Sequence, residues 1–329
     1  MSNVHDDVTV KESGLQRQLS RRQLTMIAMG GAIGTGLFLG SGFAVSLAGP
    51  AVIISYCLGV CICLIMMFAL TEMAVVHPSA GSFGLYAEKY INPWAGFVVR
   101  LTYWAAQVVA IGGEVVAVAI YTKFWFPNVP MWIWCVIYSV ALVLINLSSV
   151  KNFGEIEYWF AMIKVVAIVV FIILGIGYIF SGFGAEPVAF TNLTAHGGFL
   201  PNGASGIFMA MLIVIFSFYG VEVIAVTAGE AQNPQEAVPK AMKAMVFRLA
   251  LFYICAITLV VCIVPWNKAG LGESPFVTVF RAVGIPYAAG VMNFVVLTAA
   301  LSSMNTNLYL TGRMLFSLSR GGYAPKILG

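Results

Sequence analysis

Apolar residues fall in long blocks along this chain, separated by short breaks that hold most of its charges and prolines. Eight blocks predict helices, at about 24–47, 51–76, 95–121, 129–148, 156–180, 203–229, 243–264 and 286–311. At about 1.5 Å per residue, each is long enough to cross a hydrocarbon layer about 30 Å thick. They lack the two-residue alternation of barrel strands, and isolated strands leave their backbone unsatisfied in lipid, so helix is the default. Local signals mark the breaks. Gly49-Pro50 turns between the first two blocks, His77-Pro78-Ser79 closes the second, Asn92-Pro93 opens the third, and Pro127 and Pro130 flank the next loop.

Composition agrees with this pattern: 60% of the 329 residues are hydrophobic and 9% charged, against about 25% charged in soluble domains. The expected class is an all-α integral membrane protein. Residues 1–23 read as a polar cytoplasmic tail, and the run from Leu24 to Leu47 is too long for a signal-peptide core, so it is taken as a retained first span. Lys and Arg set the expected orientation. With the N-terminus inside, the inner side holds Lys11, Arg17, Arg21, Arg22, Lys89, Arg100, Lys151, Lys240, Lys243, Arg248, Arg313, Arg320 and Lys326. The outer side holds only Lys123, Lys268 and Arg281, an imbalance that favours this topology. The net charge of +4 is thereby a topology signal, and nucleic acid is not an expected partner. The six cysteines all lie in apolar runs without a Cys-x-x-Cys pair or a nearby His, which argues against a metal site or a disulfide framework.

Interruptions of the apolar pattern carry the candidate chemistry. Gly30-Gly31-Ala32-Ile33-Gly34-Thr35-Gly36 lies midway along the first span, and each glycine weakens a helix by about 1 kcal/mol relative to Ala. Close helix packing is one reading of such glycines. The other is an unwound stretch whose N–H groups, at the start of a half-helix near Leu37, face an anion. A phosphate loop would need a preceding strand, and none is expected. Phe216-Ser217-Phe218-Tyr219-Gly220-Val221-Glu222 interrupts the sixth span with an acid, an aromatic cluster and a glycine, the composition of a pocket beside a backbone break. The two interruptions lie in the first and sixth spans, an offset of five, and an odd offset inverts one repeat relative to the other, so the breaks can meet near the midplane. Glu114 lies deep in the third span. Lys164 lies in the fifth, where it either serves the interior or snorkels to the headgroups. Glu230 ends the sixth span, as a surface acid or a gate. The Trp and Tyr residues read mostly as interfacial anchors.

These motifs are similar to those of the amino acid–polyamine–organocation superfamily, specifically the bacterial permeases for γ-aminobutyrate, proline and aromatic amino acids. The resemblance runs from Arg21 onward and rests on residues 31–38, Glu72-Met-Ala, 78–87, 149–159, 216–222, 229–234 and 312–320. It implies a leucine-transporter-like fold of five plus five inverted spans followed by two more, of which about eight are present. The first repeat would occupy 24–180, and 181–329 would hold three spans of the second. It implies proton-coupled amino-acid symport by alternating access across the cell membrane, with no cofactor beyond the proton. The substrate site would comprise Ala32, Ile33, Gly34, Thr35 and Gly36 with Phe216, Ser217, Tyr219, Gly220 and Glu222. The N–H groups of Thr35 and Gly36 would take the carboxylate. Carbonyls of Ala32 or Ile33, Phe216 and Tyr219 would take the ammonium. Glu222 would organise the second break, Lys164 and Glu114 would couple the proton, and Glu230 would gate. The alternative is a truncated, non-transporting fragment. A channel and an intramembrane enzyme are weaker readings, the latter because no catalytic motif is visible. Self-association is left open.

Overall fold

The computed structural model describes residues 20–79, 81–147, 150–182, 189–269, 273–284 and 286–328. The tail expected over residues 1–23 lies outside them as far as residue 19. Every regular element among the described residues is helical.

α1 (Arg21–Ala32) starts on a capping box: the Ser20 hydroxyl accepts from the Gln23 N–H, and the Gln23 side chain accepts from the Ser20 N–H. The helix stops at Ile33, whose backbone is extended. The chain resumes as one π-helical turn, Gly36–Gly40, that runs into α2 (Ser41–Ala48). α3 (Val52–Val76) follows the Gly49-Pro50 turn. α4 (Ser82–Tyr90) is a short helix, and α5 (Pro93–Thr122) opens on an Asn92 cap with proline in its first turn. α6 (Met131–Asn146) and α7 (Val150–Ser181) complete the first half. α8 (Gly203–Ser217) breaks before α9 (Val223–Val226), which tightens into a 3-10 turn at Thr227–Glu230. α10 (Pro234–Ile263), α11 (Pro275–Val283) and α12 (Ala288–Arg320) end the bundle.

A helix stands at each of the eight expected blocks, counting α1–α2 and α8–α9 as one broken helix each. The boundaries differ where hydropathy was the guide. α7 starts before Glu155 and α10 at Pro234, and α12 runs to Arg320, because these helices carry their polar ends beyond the apolar segment. α4 and α11 are too short to cross a membrane and left no apolar block to read.

The two broken spans sit side by side. α1 packs against α9 and α2 against α8, so the first half of one break meets the second half of the other, as an inverted pair requires. α5, α7, α10 and α12 surround the joint. Polarity is inverted relative to a soluble domain. Arg100, Glu114, Glu157 and Lys164 are buried, while Ile65, Leu144, Ile173 and Phe247 are exposed on the outer surface. Such an outer surface suits a hydrocarbon solvent.

Candidate functional site

Ending α1 at Ala32 leaves the carbonyls of its last turn without partners from the helix itself. The structure supplies others. The Lys164 ammonium, fully buried on α7, donates to the carbonyls of Gly30 and of Ile33 (2.8 Å). A cation at a helix C-terminus also complements the helix dipole. Lys164 therefore points inward to the break and does not snorkel. The Tyr253 hydroxyl on α10 lies 2.7 Å from the Ala32 carbonyl and 2.8 Å from the Ser217 carbonyl, so its single proton is shared between the two breaks.

The breaks touch through their glycines. Gly220 has φ of +98°, a left-handed conformation, and a Cβ there would run into the Gly31 carbonyl. A Cβ on Gly36 would lie 2.7 Å from Ser217 Cα and 3.1 Å from the Phe216 carbonyl. Ser217 Oγ donates to the Gly36 carbonyl (2.8 Å) and is 3.3 Å from the Tyr56 hydroxyl. Glu222 holds the second break in shape: its carboxylate accepts the Gly220 N–H (2.9 Å) and the Tyr103 hydroxyl (2.8 Å).

Beside this joint lies a cavity of about 760 Å³, lined by Thr35, Leu39 and Gly40, by the small residues Ala105, Ala106, Ala110, Gly113 and Ala117 of α5, and by Glu114, Phe216 and Tyr219. Its size and mainly apolar wall suit a small organic ligand. The Phe216 and Tyr219 rings stack at 5.9 Å along one side. Glu114 accepts the Ser303 hydroxyl through Oε1 (2.8 Å). Its Oε2 is buried without a hydrogen-bond partner. A second cavity of about 500 Å³ lies on the other side of Tyr219, against Cys63, Met66, Phe83, Tyr103 and Glu222.

Of the ten residues expected to bind substrate, Thr35, Phe216 and Tyr219 line the larger cavity. Ala32, Ile33, Gly36, Ser217 and Gly220 form the joint behind it. Gly34 packs against Ser303, and Glu222 lines the second cavity. The carbonyls of Ala32 and Ile33 are already engaged by Tyr253 and Lys164. Glu230, away from the joint, is ion-paired with Arg313 and bonded to the Tyr309 hydroxyl, both on α12, and is 2% exposed rather than a surface acid.

Several residues at the site drew no attention in the sequence. Tyr56, Tyr103 and Tyr253 are bonded in the interior rather than placed as interfacial anchors, and only Tyr253 was signalled by a mid-span position. Glu157 is fully buried in α7. The polar run Ser302-Ser303-Met304-Asn305-Thr306, inside an apolar span, was the clearest missed signal.

Comparison with known proteins turns this geometry into an assignment. The family profile described as amino acid permease matches residues 23–329. This chain belongs to the amino acid permease family. It is 47% identical over 317 residues to the γ-aminobutyric acid permease of Bacillus subtilis, covering 96% of this chain and 67% of that protein. It is 45% identical to a probable threonine/serine transporter of the same organism (95% and 68% covered). It is 44% identical to the aromatic amino acid transport protein AroP of Escherichia coli (95% and 69% covered). The chain thus spans about two thirds of the length of these permeases. Among solved structures, it superposes on a nucleobase-cation-symport-1 family transporter with TM-score 0.65 at 17% identity (95% and 68% covered). A Na+-coupled sialic acid symporter gives 0.64 at 12% identity (93% and 66% covered). These likenesses establish the leucine-transporter-like fold. As an amino acid permease, the chain is a multi-pass membrane protein of a transporter family, not an enzyme.

Proposed function

We propose that this permease couples uptake of an amino acid to a proton by alternating access, with the substrate held in the cavity between the two breaks and the inner face of α5. The observation that carries the reading is the junction itself. A cavity of about 760 Å³ opens onto Thr35, Phe216 and Tyr219 where two interrupted helices cross, and a buried lysine is bonded to the carbonyls at the first break. The helix start after Thr35 offers N–H groups and the positive end of a dipole to a carboxylate. Glu114, which lines the same cavity and keeps one carboxylate oxygen without a hydrogen bond, offers a partner for an ammonium or a proton. An ammonium side chain that can lose and regain its proton stands where a metal cation would otherwise satisfy the carbonyls of Gly30 and Ile33. That favours a proton over sodium. The two repeats would run from 24 to 180 and from 181 onward, with the N-terminus on the cytoplasmic side, as the Lys/Arg imbalance indicates.

The test is uptake by the purified chain in liposomes with an acid exterior. Labelled γ-aminobutyrate, threonine and phenylalanine serve as probes, since the relatives' names span these classes. At least one should accumulate severalfold over vesicles lacking the protein, and collapsing the pH gradient should abolish the excess. Equal uptake with and without the gradient would overturn proton coupling.

A further inference from the structure

One buried acid has no part in the account above. Glu157 lies on α7 seven residues before Lys164, which places both on one face two turns apart. Both are fully buried, and both converge on Gly30. Lys164 donates to the Gly30 carbonyl, and a side chain on Gly30 would strike Glu157 Oε1. Among the described residues, the hydrogen bonds to Glu157 come from neutral groups of α12, the Ser302 hydroxyl and the Asn305 amide (3.5 Å). Arg22, from the start of α1, lies over the ring of Tyr158, the residue that follows Glu157.

Polar contacts continue from Glu157 in one direction. Asn305 accepts from Asn146 Nδ2 (2.6 Å), and Asn146 is half-buried at the C-terminal end of α6. The Arg22–Tyr158 contact shows that the start of α1 and the start of α7 share an end of the bundle, the end read as cytoplasmic. A carboxylate bolting α7 to α12 would need only the Ser302 and Asn305 bonds. Its position under the lysine and the polar line toward one surface go further than that.

We propose that Glu157 accepts the proton released by Lys164 and delivers it to the cytoplasmic end of the bundle between α6, α7 and α12. The ammonium donates to the Gly30 and Ile33 carbonyls and not to Glu157 directly, so the proton moves from Lys164 to the Glu157 carboxylate through a bridging water, leaving a neutral amine and a carboxylic acid. Glu157 then gives the proton to water near Asn146, and Lys164 takes the next from the opposite side. This deepens the proton-coupled reading and rests on it.

Two measurements test the role in the full chain. In liposomes, Glu157→Gln should keep exchange of labelled for unlabelled amino acid within about twofold while accumulation driven by a pH gradient falls at least tenfold, with Glu157→Asp recovering part of it. Gradient-driven accumulation equal to that of the unmodified chain overturns the proposal, and so does equal loss of exchange and accumulation in both variants, which would mark a structural bolt. Unmodified chain that exchanges without responding to the gradient would instead overturn the proton-coupled reading itself. Infrared difference spectra of the protein in bilayers provide a readout without transport. Acidification should raise a carboxylic-acid band that Glu157→Gln removes and Lys164→Met displaces in pH. A band unchanged by Glu157→Gln at every pH would show that Glu157 never takes the proton.

Discussion

Tyr253 puts one hydroxyl between the Ala32 and Ser217 carbonyls, so a single atom ties two helices that are each incomplete. Replacing it by Phe leaves two buried acceptors with less than they need, at a cost of about 1–3 kcal/mol. Tyr253→Phe should therefore lower thermal stability in detergent without changing the cavity-lining residues. Unchanged stability would show that the shared hydroxyl adds nothing to the joint. Gly36 sharpens the contrast between packing and binding. Its missing side chain faces the Ser217 backbone, so Gly36→Ala should destabilise by about 1–3 kcal/mol through overpacking. An alanine tolerated in unfolding but deficient in substrate binding would instead place an open anion site there. Lys164→Met removes the cation that engages the Gly30 and Ile33 carbonyls. It should abolish gradient-driven accumulation, and exchange should survive if the helix ends stay in place.

The helix breaks were legible in sequence because glycine clusters and an intramembrane acid have few other uses in lipid. What the sequence could not divide was the joint from the cavity. Gly34, Thr35 and Gly36 are consecutive, yet one packs on Ser303, one faces the cavity and one packs on Ser217. Close backbone approach and ligand access demand the same small residues, so only the positions of α5, α8 and α12 decide between them. The partners of the breaks come from distant segments, Tyr253 on α10 and Ser303 on α12, and no local pattern announces such contacts. Glu157 and Lys164 are the exception, since their seven-residue spacing on one helix was open to reading. The element beyond α9 makes its own prediction. Glu230 closes that end on Arg313 and Tyr309, so Arg313→Gln should speed modification of a cysteine placed at Thr35 by a thiol reagent added from that side. The background for this assay has the six native cysteines replaced. An unchanged rate would mean that the ion pair does not limit access.

Across the molecule, polar and ionised groups gather at the centre and apolar side chains face out. Lipid can solvate that exterior but not the broken backbone within it, so the unwound segments survive only because Lys164, Tyr253 and Glu222 occupy their free groups. In the proposed cycle, moving substrate past them would require those contacts to exchange, which would link the occupancy of the cavity to the state of the lysine. The measurement closest to this link records labelled amino-acid uptake and internal pH together in liposomes containing the unmodified chain and Lys164→Met. The unmodified chain should acidify the interior in proportion to the amino acid taken up, and Lys164→Met should take up none against a gradient and leave internal pH unchanged. Uptake by the unmodified chain with no acidification, or acidification that persists in Lys164→Met, would contradict the account.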